Sequence, residues 1–149
     1  MPADPPVDPD TENVRGEPVA AVLVVIALGG ALGALGRYGL TLAWPASPGG
    51  FPWAVFTINV AGSFLLGALM VVLTEVRPAH PLTRPFLGVG VLGGFTTFST
   101  YANDFRALLQ PATAGTAALY LAGTLIAALL ATGCAVVLTR SAARWGAAR

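Results

Sequence analysis

Three long apolar runs divide the chain. Residues 18 to 42 read "PVAAVLVVIALGGALGALGRYGLTL", residues 53 to 74 "WAVFTINVAGSFLLGALMVVLT", and residues 112 to 139 "ATAGTAALYLAGTLIAALLATGCAVVLT". Each reaches the roughly 20 residues that a helix needs to cross a bilayer. Residues 84 to 109 are also long enough to cross, but their clean apolar run ends at Leu92. It gives way to "GGFTTFSTYANDF", residues 93 to 105. Two successive glycines lower helix propensity by about 1 kcal/mol each. Thr96 and Thr97 are β-branched, and their hydroxyls compete for backbone groups. The pattern therefore predicts an all-α membrane protein with four transmembrane helices, the third broken at mid-depth. The connections "WPASPGGFP" and "RPAHPLTRP", and Pro111, carry the expected punctuation.

The first 17 residues are acidic, Pro-rich and nearly devoid of apolar side chains, which predicts a disordered tail. They lack the basic start of a signal peptide, and the first apolar run outlasts a signal h-region. Residues 18 to 140 then form the membrane domain, and residues 141 to 149 a short basic tail.

Composition narrows the function. The chain is 55% hydrophobic and 10% charged, where a soluble domain is about a quarter charged. It has no lysine and no basic stripe, so nucleic acid is not its partner. A single cysteine, Cys134, allows no disulfide within the chain, and His80 stands alone in a Pro-rich loop. A membrane enzyme needs a nucleophile–base pair or metal ligands, and neither is present. A proton-coupled exporter of the small multidrug resistance type needs a carboxylate within the membrane. Glu75 and Asp104 both fall near span ends.

The polar positions inside the spans point elsewhere. Gly29 and Gly33 form a GxxxG step, and Gly30, Gly33, Gly36 and Gly39 recur every three residues, as helices packed closely in lipid require. Asn59 has Ser63 one turn on, and Thr116, Tyr120 and Thr124 share one face. Such groups serve either interhelical hydrogen bonds or a polar guest. The 93–105 break has two readings as well. It is a plain kink, or its freed carbonyls bind a cation, as broken transporter helices do.

Three motifs bring a family into view. "GALGRY" at 33–38, "TINVAGSFLLG" at 57–67 and "GGFTTFSTY" at 93–101 resemble, in order and spacing, elements of the Fluc/CrcB family of small bacterial fluoride channels. The resemblance covers roughly residues 20 to 140. It implies passive fluoride export and resistance to fluoride toxicity from a multi-pass protein of the bacterial plasma membrane. It implies a dual-topology dimer of antiparallel subunits with two pores. It also implies a structural Na+ at the dimer centre, held by backbone carbonyls that map to Gly93 and Thr96. The pore asparagine maps to Asn59 and the paired pore phenylalanines to Phe98 and Tyr101, with Ser99 and Thr100 as hydroxyl donors between them. The polar track of the last helix maps to Tyr120 and Thr124, the first-helix arginine to Arg37, near a membrane face, and an acidic residue after the third motif to Asp104. The chemistry agrees with that mapping. Fluoride is small and strongly hydrated, so amide and hydroxyl donors must replace its water. An electropositive ring edge can face it, and a full charge at mid-membrane would slow its exit. Tyr101 departs from the family's usual phenylalanine, which leaves open a non-conducting structural subunit.

Arginine placement bears on assembly. Arg15, Arg77, Arg84, Arg140, Arg144 and Arg149 fall on one side of the predicted spans, and Arg37 and Arg106 on the other. Arginine bias in short loops sets orientation. The partner is therefore either a second copy, in a homodimer, or an oppositely oriented paralogue, in a heterodimer.

Overall fold

The computed structural model describes residues 16–76 and 79–147. The acidic tail through residue 15, and Arg77 and Arg149 of the arginine pattern, lie outside the described residues. Every regular element among the described residues is helical.

Helix α1 spans Val19–Ala43, and α2 spans Trp53–Val71 and runs on as a wider turn through Val72–Val76. Segment α3, Arg84–Leu92, is wound wide in π fashion. Gly93 N–H, at its end, donates five residues back to Gly88 O. One α-helical turn follows directly, α4 at Gly93–Phe95. Thr96 is then extended, with ψ 158°, and helix resumes as α5, Ser99–Leu108. Last comes α6, Ala114–Ala147, which runs without interruption past residue 140 into the basic C-terminal stretch. Three helices, Val19–Ala43, Trp53–Val76 and Ala114–Trp145, are long and apolar enough to cross a membrane. The protein is a multi-pass membrane protein by that measure. Large apolar side chains such as Leu23, Leu35, Leu125 and Leu130 accordingly stand exposed along these helices.

Two packing units make the bundle. α1 lies chiefly against α3 and α4, while α2 lies chiefly against α6. Glycine sets the first contact. A Cβ on Gly33 would overlap Val91 O and come within 2.7 Å of Phe95 N, and one on Gly94 would overlap Gly30 O. The three-residue glycine recurrence in α1 is therefore a groove for the α3–α4 backbone at Gly29, Gly30 and Gly33. Gly36 meets only the Phe95 side chain, at 3.7 Å, and Gly39 meets nothing within 4 Å. In the second unit, Gly67 admits Thr132, and Thr132 Oγ1 donates to Ser63 O at 3.2 Å. Near the loop end Val55, Leu108, Ala117 and Tyr120 form a buried cluster that ties α2, α5 and α6 together. At the other end Arg140 grips Glu75 through its Nε and Nη2, at 2.9 and 2.6 Å.

Candidate functional site

The interruption at 96–98 is held from two sides. From α2, the Asn59 side chain pairs with the Thr97 peptide. Nδ2 donates to Thr97 O at 3.0 Å, and Thr97 N–H donates to Oδ1 at 2.9 Å. In a continuing helix Thr97 N–H would donate to Gly93 O. Its diversion to Asn59 removes that bond from the Gly93 carbonyl. From α1, Arg37 Nε donates to Gly94 O at 3.2 Å. The Arg37 side chain thereby reaches the single turn of α4 that precedes the break. Asn59 lies about 9 Å along α2 from Trp53 at 1.5 Å per residue, so the break lies well inside the helical bundle.

Local chemistry completes it. Thr96 Oγ1 donates back to Leu92 O at 2.9 Å and closes the end of α4. Its methyl group sits where Gly62 would otherwise carry a Cβ. Thr97 Oγ1 accepts the Thr100 N–H at 3.2 Å and starts α5 as a capping hydroxyl does. Thr97 donates to Thr100 Oγ1 at 3.2 Å, and the Ser99 hydroxyl lies 3.3 Å away.

Beside the break is a groove of about 640 Å³ between α2, the α3–α5 run and α6. Of the residues expected to form a site, it brings together Asn59, Gly93, Thr96, Phe98, Tyr101 and Thr124. Ser63 and Ala128 line it as well. Ser99, Thr100, Tyr120, Arg37 and Asp104 are not in the lining. The wholly buried Tyr120 lies tilted against Tyr101, ring centroids 5.1 Å apart, and its hydroxyl donates to Asp104 Oδ2 at 3.4 Å. Phe98 is 79% exposed at the groove's edge, its ring 5.9 Å from that of Tyr101. The Tyr101 hydroxyl donates to Leu121 O of α6 at 2.6 Å. Thr124 Oγ1 is buried and has no hydrogen-bond partner. No charged side chain of the described residues lines the groove.

Thr97 entered the sequence reading only as a helix-weakening residue. All three of its polar groups are engaged, but its key partner is 38 residues away. Phe51 was missed for a similar reason, since it meets Tyr120 edge-on at 5.3 Å only once α2 and α6 are packed. Asn59 also differs in emphasis, because one of its two N–H groups is committed to the Thr97 backbone.

The chain matches the family model described as CrcB-like protein, Camphor Resistance (CrcB), over residues 24–136. It is 52% identical to "Fluoride-specific ion channel FluC 1" of Streptomyces coelicolor over 126 residues, 85% of this chain and 82% of that one. It is 51% identical to "Fluoride-specific ion channel FluC 2" of Nocardia farcinica over 147 residues, 97% of this chain and 94% of that one. A third relative, "Fluoride-specific ion channel FluC" of Thermus thermophilus, is 47% identical over 108 residues, 72% of this chain and 84% of that one.

Proposed function

The chain belongs to the CrcB family, and from that premise we propose that it is a fluoride-selective channel, giving passive fluoride export across the bacterial cytoplasmic membrane. It is an ion channel and not an enzyme. The observation that carries the reading is the uncharged groove with an unpartnered donor buried in its wall, Thr124 Oγ1. The free N–H of Asn59 and the ring edge of Phe98 add donors of the kind a dehydrating fluoride needs. Neutral donors favour entry without trapping the ion, which conduction requires.

In this reading α3, α4 and α5 together make the third of four crossings, interrupted at 96–98. Unwound backbone is tolerated there because Asn59, Arg37 and the adjoining helices cover it. The subunit pairs antiparallel with another. An aromatic ring 79% exposed at the edge of an open groove supports a second chain as the missing wall. Na+ takes oxygen ligands, and the Gly93 carbonyl, released by the Asn59–Thr97 pairing, with that of extended Thr96, fits such a role. Bound there, the ion would hold two breaks together.

The arginine asymmetry supports an oppositely oriented paralogue as the partner over a second copy. C-terminal reporters for cytoplasm and periplasm on the chain expressed alone should favour the cytoplasm, and equal signals would favour the homodimer. The channel reading itself is tested by fluoride efflux from liposomes, with chloride as the control.

A further inference from the structure

Helices α2 and α6 run side by side in one register. Arg140 on α6 grips Glu75 on α2, 65 residues earlier. Gly67 packs against Thr132 at the same offset, and Val55 and Tyr120, again at that offset, share one buried cluster. Between these contacts the register sets Asn59 level with Thr124, and Ser63 level with Ala128. Thr132 fixes the second level, because its Oγ1 lies 3.2 Å from Ser63 O and 3.0 Å from Ala128 O.

The two levels are furnished differently. Along its groove face α6 presents Thr124 and, one turn on, Ala128, which has no polar side-chain atom. Along its own groove face α2 presents Asn59 and, one turn on, Ser63. Three other hydroxyls of the lining are already spent on the protein. Thr96 Oγ1 donates to Leu92 O, Thr97 Oγ1 to Thr100 Oγ1, and the Tyr101 phenol to Leu121 O. Thr124 belongs to the first level, which leaves Ser63 as the hydroxyl at the second.

We propose that Ser63 is a donor to the permeating anion, supplying from α2 the hydroxyl that Ala128 does not supply from α6. It extends the donors at Asn59 and Thr124 by one helical turn, about 6 Å, along the groove. The inference rests on the channel reading above and adds a residue to its path. A fluoride ion stripped of water needs a replacement donor at each step, and a level without one is a barrier. Hydrogen bonds to an ion are among the stronger ones, and losing one at a barrier corresponds to about a ten-fold loss of rate.

The test is a double-mutant cycle on the whole chain in liposomes. Ser63→Ala should leave the fold intact, because Thr132 binds the backbone carbonyl of residue 63 and not its side chain. It is expected to lower fluoride flux by about ten-fold in the parent at an unchanged melting temperature. In the Ala128→Ser background, where α6 supplies the hydroxyl, the same substitution is expected to change flux little. Parental flux from Ser63→Ala, or an equal loss in both backgrounds, overturns the proposal. If Ala128→Ser carries no flux, Ser63→Cys decides, since it keeps the shape of the side chain and offers only a weak donor. Reduced flux at the parental melting temperature then supports the proposal, and parental flux overturns it. A parent chain without fluoride flux overturns the channel reading, and the proposal with it.

Discussion

Asn59 and Thr97 exchange two hydrogen bonds, 2.9 and 3.0 Å long, between a side-chain amide on α2 and a peptide group in the break before α5. The amide reproduces the donor–acceptor pairing that one strand offers another, and so satisfies an unwound peptide at depth. Asn59→Asp keeps the shape and removes the donor. It sets a carboxylate against Thr97 O and beside the path of an anion. We expect fluoride flux to be abolished and stability to fall by about 1–3 kcal/mol. Liposome efflux and a thermal melt of the same preparation check both, and parental flux from the variant would remove Asn59 from the pore.

Phe98 separates conduction from folding. Its ring is 79% exposed within one chain, so losing it removes little packing from the subunit. Phe98→Ile should abolish fluoride flux by removing the ring edge, while the protein still assembles. Flux assays together with size-exclusion chromatography check this, and a conducting variant would contradict the assigned role.

Gly33 tests how the break is mounted on α1. Gly33→Ala forces a Cβ into Val91 O and against Phe95 N, where backbone and not a flexible side chain must yield. We expect a loss of about 1–3 kcal/mol from overpacking. Gly39→Ala meets nothing within 4 Å and should be neutral or gain up to about 1 kcal/mol in helix propensity. Thermal melts of the two variants should move in different directions or by clearly different amounts.

Much of this was legible in the sequence. Hydropathy marked the three long helices, because a lipid-facing helix is apolar all round and needs no partner to be recognised. The Gly-Gly-x-Thr-Thr run marked the loss of helix near Thr96 through propensity alone. Contacts between distant segments were not legible. Asn59 reads as a pore donor in sequence, and only its proximity to Thr97 shows that half its amide is structural. The bond from Arg37 to Gly94 O likewise emerges only from α1–α4 packing, 57 residues apart in the chain. The Tyr101 phenol shows no acceptor until α5 meets α6 at Leu121.

Sodium removal tests the cation role. If Na+ joins two breaks through Gly93 and Thr96 carbonyls, exchanging it for N-methylglucamine should lower the melting temperature and loosen the dimer. Saturation at 100 times the dissociation constant corresponds to about 2.7 kcal/mol of stabilisation. An unchanged melt across sodium concentrations in dialysed protein would contradict a structural ion.

The central claim is that the uncharged groove lined by Asn59, Phe98 and Thr124 passes fluoride. The most direct measurement reconstitutes the purified chain, alone and with an oppositely oriented relative, into liposomes loaded with potassium fluoride or potassium chloride. Valinomycin starts the efflux, and an ion-selective electrode follows it. The account predicts rapid fluoride efflux from at least one preparation, with no chloride efflux from either. Failure of both preparations to release fluoride, or equal release of the two halides, would contradict it.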